Sequence, residues 1–151
     1  MAENPVVNAS PLIYLPRAGL LDILRIISPE IIVPQTVAAE ILQRGTADIT
    51  AQAIRQNDWL KVSPTPAVPP EITDWSLGAG EPSVLSWALA NKNTEAIVDD
   101  LAVRRCAADW RILVRGTLGI ILTAKQRGEI SAARPLLEKL RQNGMICLTK
   151  Y

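Results

Sequence analysis

Histidine is missing from all 151 residues. Its absence removes Ser–His and Cys–His nucleophiles, His-ligated zinc and any imidazole general base. Cysteine is scarce: Cys106 and Cys147 lie far apart and form no ligand spacing. Cys106 falls among apolar helix positions and Cys147 within "MICLT", so both read as core thiols of a reducing, cytoplasmic protein. No apolar run approaches the ~20 residues a membrane helix needs. The opening "MAENPVVNAS" has no basic region followed by an apolar stretch, so no secretory leader is expected. Excess charge is lacking too: a net +1 gives no global basic footprint for tight, non-specific nucleic-acid binding. Any chemistry must rest on carboxylates, hydroxyls, amines, or a metal held by oxygen.

What is present is apolar material, 48 % of the chain, enough for one real core, and a single domain over residues 1–151 is expected. The charge is uneven. Arg104, Arg105, Arg111, Arg115, Lys125 and Arg127 face one acid, Asp109, between Leu101 and Gly128. That segment is either a solvated helical surface or a phosphate-facing patch, with Arg104, Arg105 and Arg115 as the RNA-phosphate candidates.

Short apolar runs alternate with helical patterns. "PVVN" precedes "LIYLPRAGLLDILRII", and "IIVP" precedes "QTVAAEILQR" and a further helix around "ADITAQAIRQ". After "EPSVLSWALANKN" come "EAIVD", "DLAVRRCAADW", "RILV", "GTLGIILTAKQRG", "ARPLLEKLRQNG" and a last strand, "MICLT". Strands that are apolar throughout, separated by helices, predict an α/β fold with a parallel sheet covered on both faces. Ser63 to Pro82, with five prolines and two glycines in twenty residues, reads as a surface loop entering a helix. Ligands of open parallel sheets bind beyond the carboxyl ends of the strands, here Asn8, Pro34, Asp99 and Arg115.

Several carboxylates cluster toward those ends. Glu81 opens a helix, with Pro82 tolerated in its first turn, and shares a face with apolar Val84, Leu85 and Ala88. A dipole partner would sit anywhere around that turn; this one faces the core side. Asp99 likewise shares a face with Ala102, Val103, Cys106 and Trp110 and ends an apolar strand, whereas Asp100 is turned away by about 100°. A plain N-cap would also account for Asp99. Glu40 borders the stripe of Val37, Ile41 and Leu42, and an i+4 pair with Arg44 accounts for it equally well. Ser10 before Pro11 reads as an N-cap, and Thr117 in "RGTLGI" as another. Acids converging at strand ends repel one another unless a cation joins them. A hard divalent ion with oxygen ligands, Mg²⁺ or Mn²⁺, meets that need and would serve phosphodiester hydrolysis.

Five segments in order, "VVNASPLIYLPRAGLLDIL", "VPQTVAAEIL", "LGAGEPSVLSWALA", "IVDDLAVRRCAA" and "GTLGIILTAKQRG", resemble those of PIN-domain proteins, most closely the bacterial branch found as toxins of toxin–antitoxin pairs. The resemblance implies a three-layer α/β/α fold around a parallel sheet of about four to five strands, and a Mg²⁺- or Mn²⁺-dependent endoribonuclease. Carried over position by position, it assigns Glu40, Glu81 and Asp99 as catalytic acids. Asn8, Glu81 and Asp99 become metal ligands, with Asp100 the alternative to Asp99, and Ser10 the hydroxyl near the metal; Thr117 is a further supporting candidate. It also implies RNA as substrate, a homodimer and a small antitoxin partner. One position departs from the pattern. The usual first aspartate is Asn8 here, an amide that still offers an oxygen but no charge, so weaker metal affinity is expected.

Two other classes deserve comparison. A PIN-like module that only binds RNA or protein is favoured by Asn8 and the modest charge, and opposed by carboxylates kept on buried faces. A phosphoryl-accepting receiver domain would carry its acid pair after the first strand, not after the third candidate strand as "DD" does here. "GAGEPS" lacks both a preceding strand and a third glycine for a dinucleotide site. Among the tryptophans, Trp87 and Trp110 fit core packing, and Trp75 is the better candidate for a partner contact.

Overall fold

In the computed structural model, residues 4–45, 47–73 and 81–145 are described. Five short strands form one all-parallel sheet: β1 (Val6–Val7), β2 (Ile31–Pro34), β3 (Leu60–Ser63), β4 (Ala96–Ile97) and β5 (Val114–Arg115), in the order β3-β2-β1-β4-β5. The helices are α1 (Ala9–Arg17), α2 (Gln35–Leu42), α3 (Ile49–Gln56), α4 (Pro70–Thr73), α5 (Glu81–Ala90), α6 (Leu101–Asp109), α7 (Thr117–Gln126) and α8 (Arg134–Gln142), with a 3₁₀ helix at Leu21–Ile26. The expected three-layer α/β/α arrangement is the one observed. Val6, Val7, Ile31, Val33, Ala96 and Ile97 are all fully buried, which is why the strand sequences do not alternate. Expected core positions of α5 (Val84, Leu85, Ala88) and α6 (Val103, Cys106) join the same core. Burial pushes the free Cys106 thiol above its ordinary range, and neighbouring Asp109 pushes it further, so it is an inert core group.

Three elements differ from the sequence reading: one is α4, a short helix with buried Ile72 inside the expected Ser63–Pro82 loop. The long helical pattern beginning at "LIYLPRAG" breaks. Pro16 cannot continue the backbone ladder, and Gly19 takes a left-handed φ of 71° so that the Leu20 N–H closes on the Leu15 carbonyl at 2.8 Å. The chain re-enters as the 3₁₀ helix, not as a continued α-helix. Strand β3 was not expected, because at "LKVS" Lys61 and Val62 are exposed and the run carries little apolar signal. As an edge strand it is specified by its full register with β2, and its lysine suits an edge. The expected strand "MICLT", Trp75, Cys147 and the "GAG" of "GAGEPS" fall outside the described residues, apart from Met145.

The strand order positions the site. After β1 the chain builds outward to β2 and β3, then returns to the other side of β1 for β4 and β5. The β1/β4 junction is therefore the topological switch point, where a crevice opens at the carboxyl edge of the sheet. No helix among the described residues is long and apolar enough to cross a membrane.

Candidate functional site

Asn8 and Asp99 leave the sheet at that junction. Asn8 follows β1, and its N–H donates to the Ile97 carbonyl of β4 at 3.0 Å. Its side chain is buried, 4 % exposed, yet caps none of the first-turn amides of α1. It stands at the N-cap position itself, so Ser10 is the second helical residue rather than the cap the sequence suggested. A single hydroxyl cannot cap a helix it is already inside.

Asp99 lies two residues past β4 and is held by one neighbour. The Thr117 N–H donates to Asp99 Oδ1 at 2.7 Å, and the Thr117 hydroxyl to Oδ2 at 2.8 Å. Thr117 is fully buried and is the first residue of α7 after Gly116, so it anchors a carboxylate from another element rather than capping its own helix. Gly116 makes the approach feasible: a Cβ there would meet Asp99 Oδ1 at 3.1 Å and the Arg104 guanidinium at 3.3 Å. Burial raises the Asp99 carboxyl above its ordinary value, against the lowering effects of the two Thr117 hydrogen bonds and the Arg104 charge. Desolvation wins. The result is an inward carboxylate whose charge is incompletely matched.

Asp100 does something else. It is exposed and caps α6, accepting from the Val103 N–H at 3.1 Å. Of the two candidates, Asp99 is thus the inward one and Asp100 the helix cap. Glu81 opens α5, half-buried, and α5 packs on β1 and β4. α5 ends just before the start of β4, at the sheet's amino edge, so its first residue, Glu81, lies toward the carboxyl edge shared by Asn8 and Asp99. Glu40 is exposed, in the second turn of α2, which packs against α5. Arg104 is half-buried beside Asp99, and Arg105 is exposed. Arg115 is a departure from the phosphate-facing expectation: its guanidinium donates to both Glu95 carboxylate oxygens and to the Thr123 hydroxyl. Strand pairing turns it toward Glu95 at the other end of β4.

Three roles were missed in the sequence: Gly116 as the gap, Thr117 as the carboxylate's anchor, and Arg104 as its cation. Each depends on α6 and α7 meeting in space. "RGT" read locally signals only a helix start.

Among the described residues, no three Asp, Glu or Cys side chains gather closely enough to hold a metal ion. The edge instead offers a buried carboxylate, a buried amide not used in capping, and Glu81. This oxygen-only set is poor in charge. It fits a hydrated Mg²⁺ or Mn²⁺ bound through one or two carboxylates with retained water, not a closed protein cage. Comparison with curated proteins and with solved structures returned no match. A family profile described as a PIN domain matches residues 4–151. Members of that family are generally nucleases and typically use divalent metal ions. With this match over nearly its whole length, and with a five-stranded parallel sheet whose switch point carries Asn8 and Asp99, the chain belongs to the PIN-domain family.

Proposed function

We propose that this chain is a Mg²⁺- or Mn²⁺-dependent ribonuclease of weakened metal affinity, the toxin member of a toxin–antitoxin pair. The observation that carries the reading is Asp99: a desolvated carboxylate fixed at the switch point by two hydrogen bonds from Thr117. Asp99, the Asn8 amide oxygen and Glu81 are the groups that would hold the ion. When bound, the ion would supply water activation and charge stabilisation at a phosphodiester. Thr117 keeps the carboxylate in one orientation, and Gly116 leaves the space for it. Arg104 lies close enough to Asp99 to steer an RNA phosphate to the same edge, with Arg105 on the exposed side of α6. In this reading the protein works in the cytoplasm as a homodimer restrained by a small antitoxin.

The test is calorimetric titration of Mn²⁺ into the wild type, Asp99→Asn and Asn8→Asp, followed by RNA cleavage. Asp99→Asn keeps acceptor and donor atoms for Thr117 but removes the charge, and is expected to abolish binding and cleavage. Asn8→Asp adds the missing charge and is expected to tighten Mn²⁺ by about tenfold or more, ~1.4 kcal/mol. A second reading has one specific observation in its favour, the lack of a three-acid group among the described residues. It holds that the domain binds RNA or protein without cutting. Absent Mn²⁺ binding in both wild type and Asn8→Asp would reject the nuclease reading for that one.

A further inference from the structure

At the opposite, amino edge of the sheet, the structure contains a cleft of about 390 Å³ between the end of α5 and the segment joining α6 to β5. Nothing in the proposed nuclease chemistry uses it. Its walls include Lys92, Asn93, Thr94, Trp110, Arg111 and Leu113. The volume lies within the range of small-molecule sites.

Two independent features mark it. First, Lys92 and Arg111 are exposed cations that take part in no ion pair among the described residues. Second, two non-glycine residues of the wall hold left-handed backbone, Asn93 at φ 68° and Arg111 at φ 57°. Arg111 closes α6: its N–H reaches the Ala108 carbonyl at 3.1 Å, and the Ile112 N–H reaches Ala107 at 2.9 Å. Helices that end this way usually place glycine at that position. Here an arginine of the cleft wall takes the strained conformation, the pattern expected where strain serves a site.

We infer that this cleft binds a nucleotide through its phosphate and base. Lys92 and Arg111 match a phosphate dianion, the guanidinium offering a fork of donors. The half-buried Trp110 provides an aromatic surface for a base, with apolar Leu113 beside it. The exposed Asn93 supplies hydrogen bonds to ribose or phosphate oxygens. The phosphate-bearing nucleotide is either free or the 5′ end of an RNA; the chemistry is the same.

The test is titration of AMP into the full chain in metal-free buffer, followed by calorimetry and amide chemical shifts, with adenosine and inorganic phosphate in parallel. Saturable AMP binding is expected, with adenosine and phosphate each weaker. Arg111→Gly and Lys92→Ala should each weaken AMP by about tenfold or more. Arg111→Gly should fold at least as well as the wild type, because glycine suits that backbone, so its loss of binding is not a folding defect. Asp99→Asn should bind AMP unchanged, which separates this cleft from the metal reading. Competition by a 5′-phosphorylated RNA oligonucleotide but not its 5′-hydroxyl form would identify an RNA end as the source; competition by neither would identify a free nucleotide. No saturable AMP binding, binding indifferent to Arg111→Gly and Lys92→Ala, or preference for an acidic peptide over AMP would overturn the inference.

Discussion

Strand β4 is bracketed by two acids that meet opposite fates. Glu95 enters the strand and is matched by Arg115 through two carboxylate contacts, with Thr123 taking a third donor of the same guanidinium at 2.8 Å. Asp99 leaves the strand and is held by a neutral amide and a neutral hydroxyl, with a cation only nearby. The first arrangement neutralises a charge and clamps β4 to β5. The second orients a charge without neutralising it. A structural acid and a candidate metal acid, four residues apart in one segment, are thus told apart by what donates to them, not by exposure or residue type.

The comparison breaks most sharply at Thr117. Thr117→Val is nearly isosteric but removes the hydroxyl from a buried carboxylate, and should destabilise the fold by about 1–3 kcal/mol while lowering Mn²⁺ affinity. Urea unfolding beside metal titration measures both. The Glu95 clamp should be untouched, so a β4–β5 amide-exchange pattern like the wild type's is expected away from Asp99.

Arg115→Met and Arg104→Met sharpen it from the cation side. Arg115→Met leaves Glu95 partly buried and unpaired, and is expected to cost about 1–2 kcal/mol after allowance for solvent screening, without moving the Asp99 carboxyl. Arg104→Met should change stability by about 0.5 kcal/mol or less. Removing its charge should, however, raise the Asp99 pKa further, since Arg104 is one of the influences holding it down. Carbonyl NMR titration of Asp99 in both variants checks the split; equal shifts in both would erase the distinction.

The smallest effect is the pH dependence. Asp99 titrates higher in the folded chain than its ordinary value of 3.8 because burial penalises its charge. The folded state therefore binds the proton more readily than the unfolded state does, and stability falls as pH rises between those two values. Below the unfolded value the contribution is complete; above the folded value it is gone. Asp99→Asn should flatten that part of the curve and leave the fold at neutral pH as stable as before or slightly more so, even as metal binding is lost. A steeper slope in the variant would mean Asp99 is not the desolvated acid.

Much of this was legible in the chain. Uniformly apolar strands and the helical stripes of α5 and α6 follow from local periodicity, because side-chain direction on a helix or strand is set by the backbone. Asp99 turns inward for a different reason: α6 starts only at Leu101 with Asp100 as its N-cap, and Asp99 lies before the helix, held by Thr117. Glu40 is exposed on α2, and its place beside an apolar stripe says nothing of where α2 points. The expected cap at Ser10 lies two residues past the observed N-cap, Asn8, the usual scale of error at a helix end.

The sequence alone determined a histidine-free, oxygen-only chemistry and a parallel α/β sheet, since composition excludes ligands and hydrophobic patterning selects the layers. Only the tertiary structure decided that Thr117 anchors Asp99, that Arg115 belongs to Glu95, that β3 completes the sheet, and that Lys92, Thr94 and Arg111 line one cleft. These are contacts between elements distant in sequence, and no local pattern encodes which donor will meet which carboxylate once the helices pack.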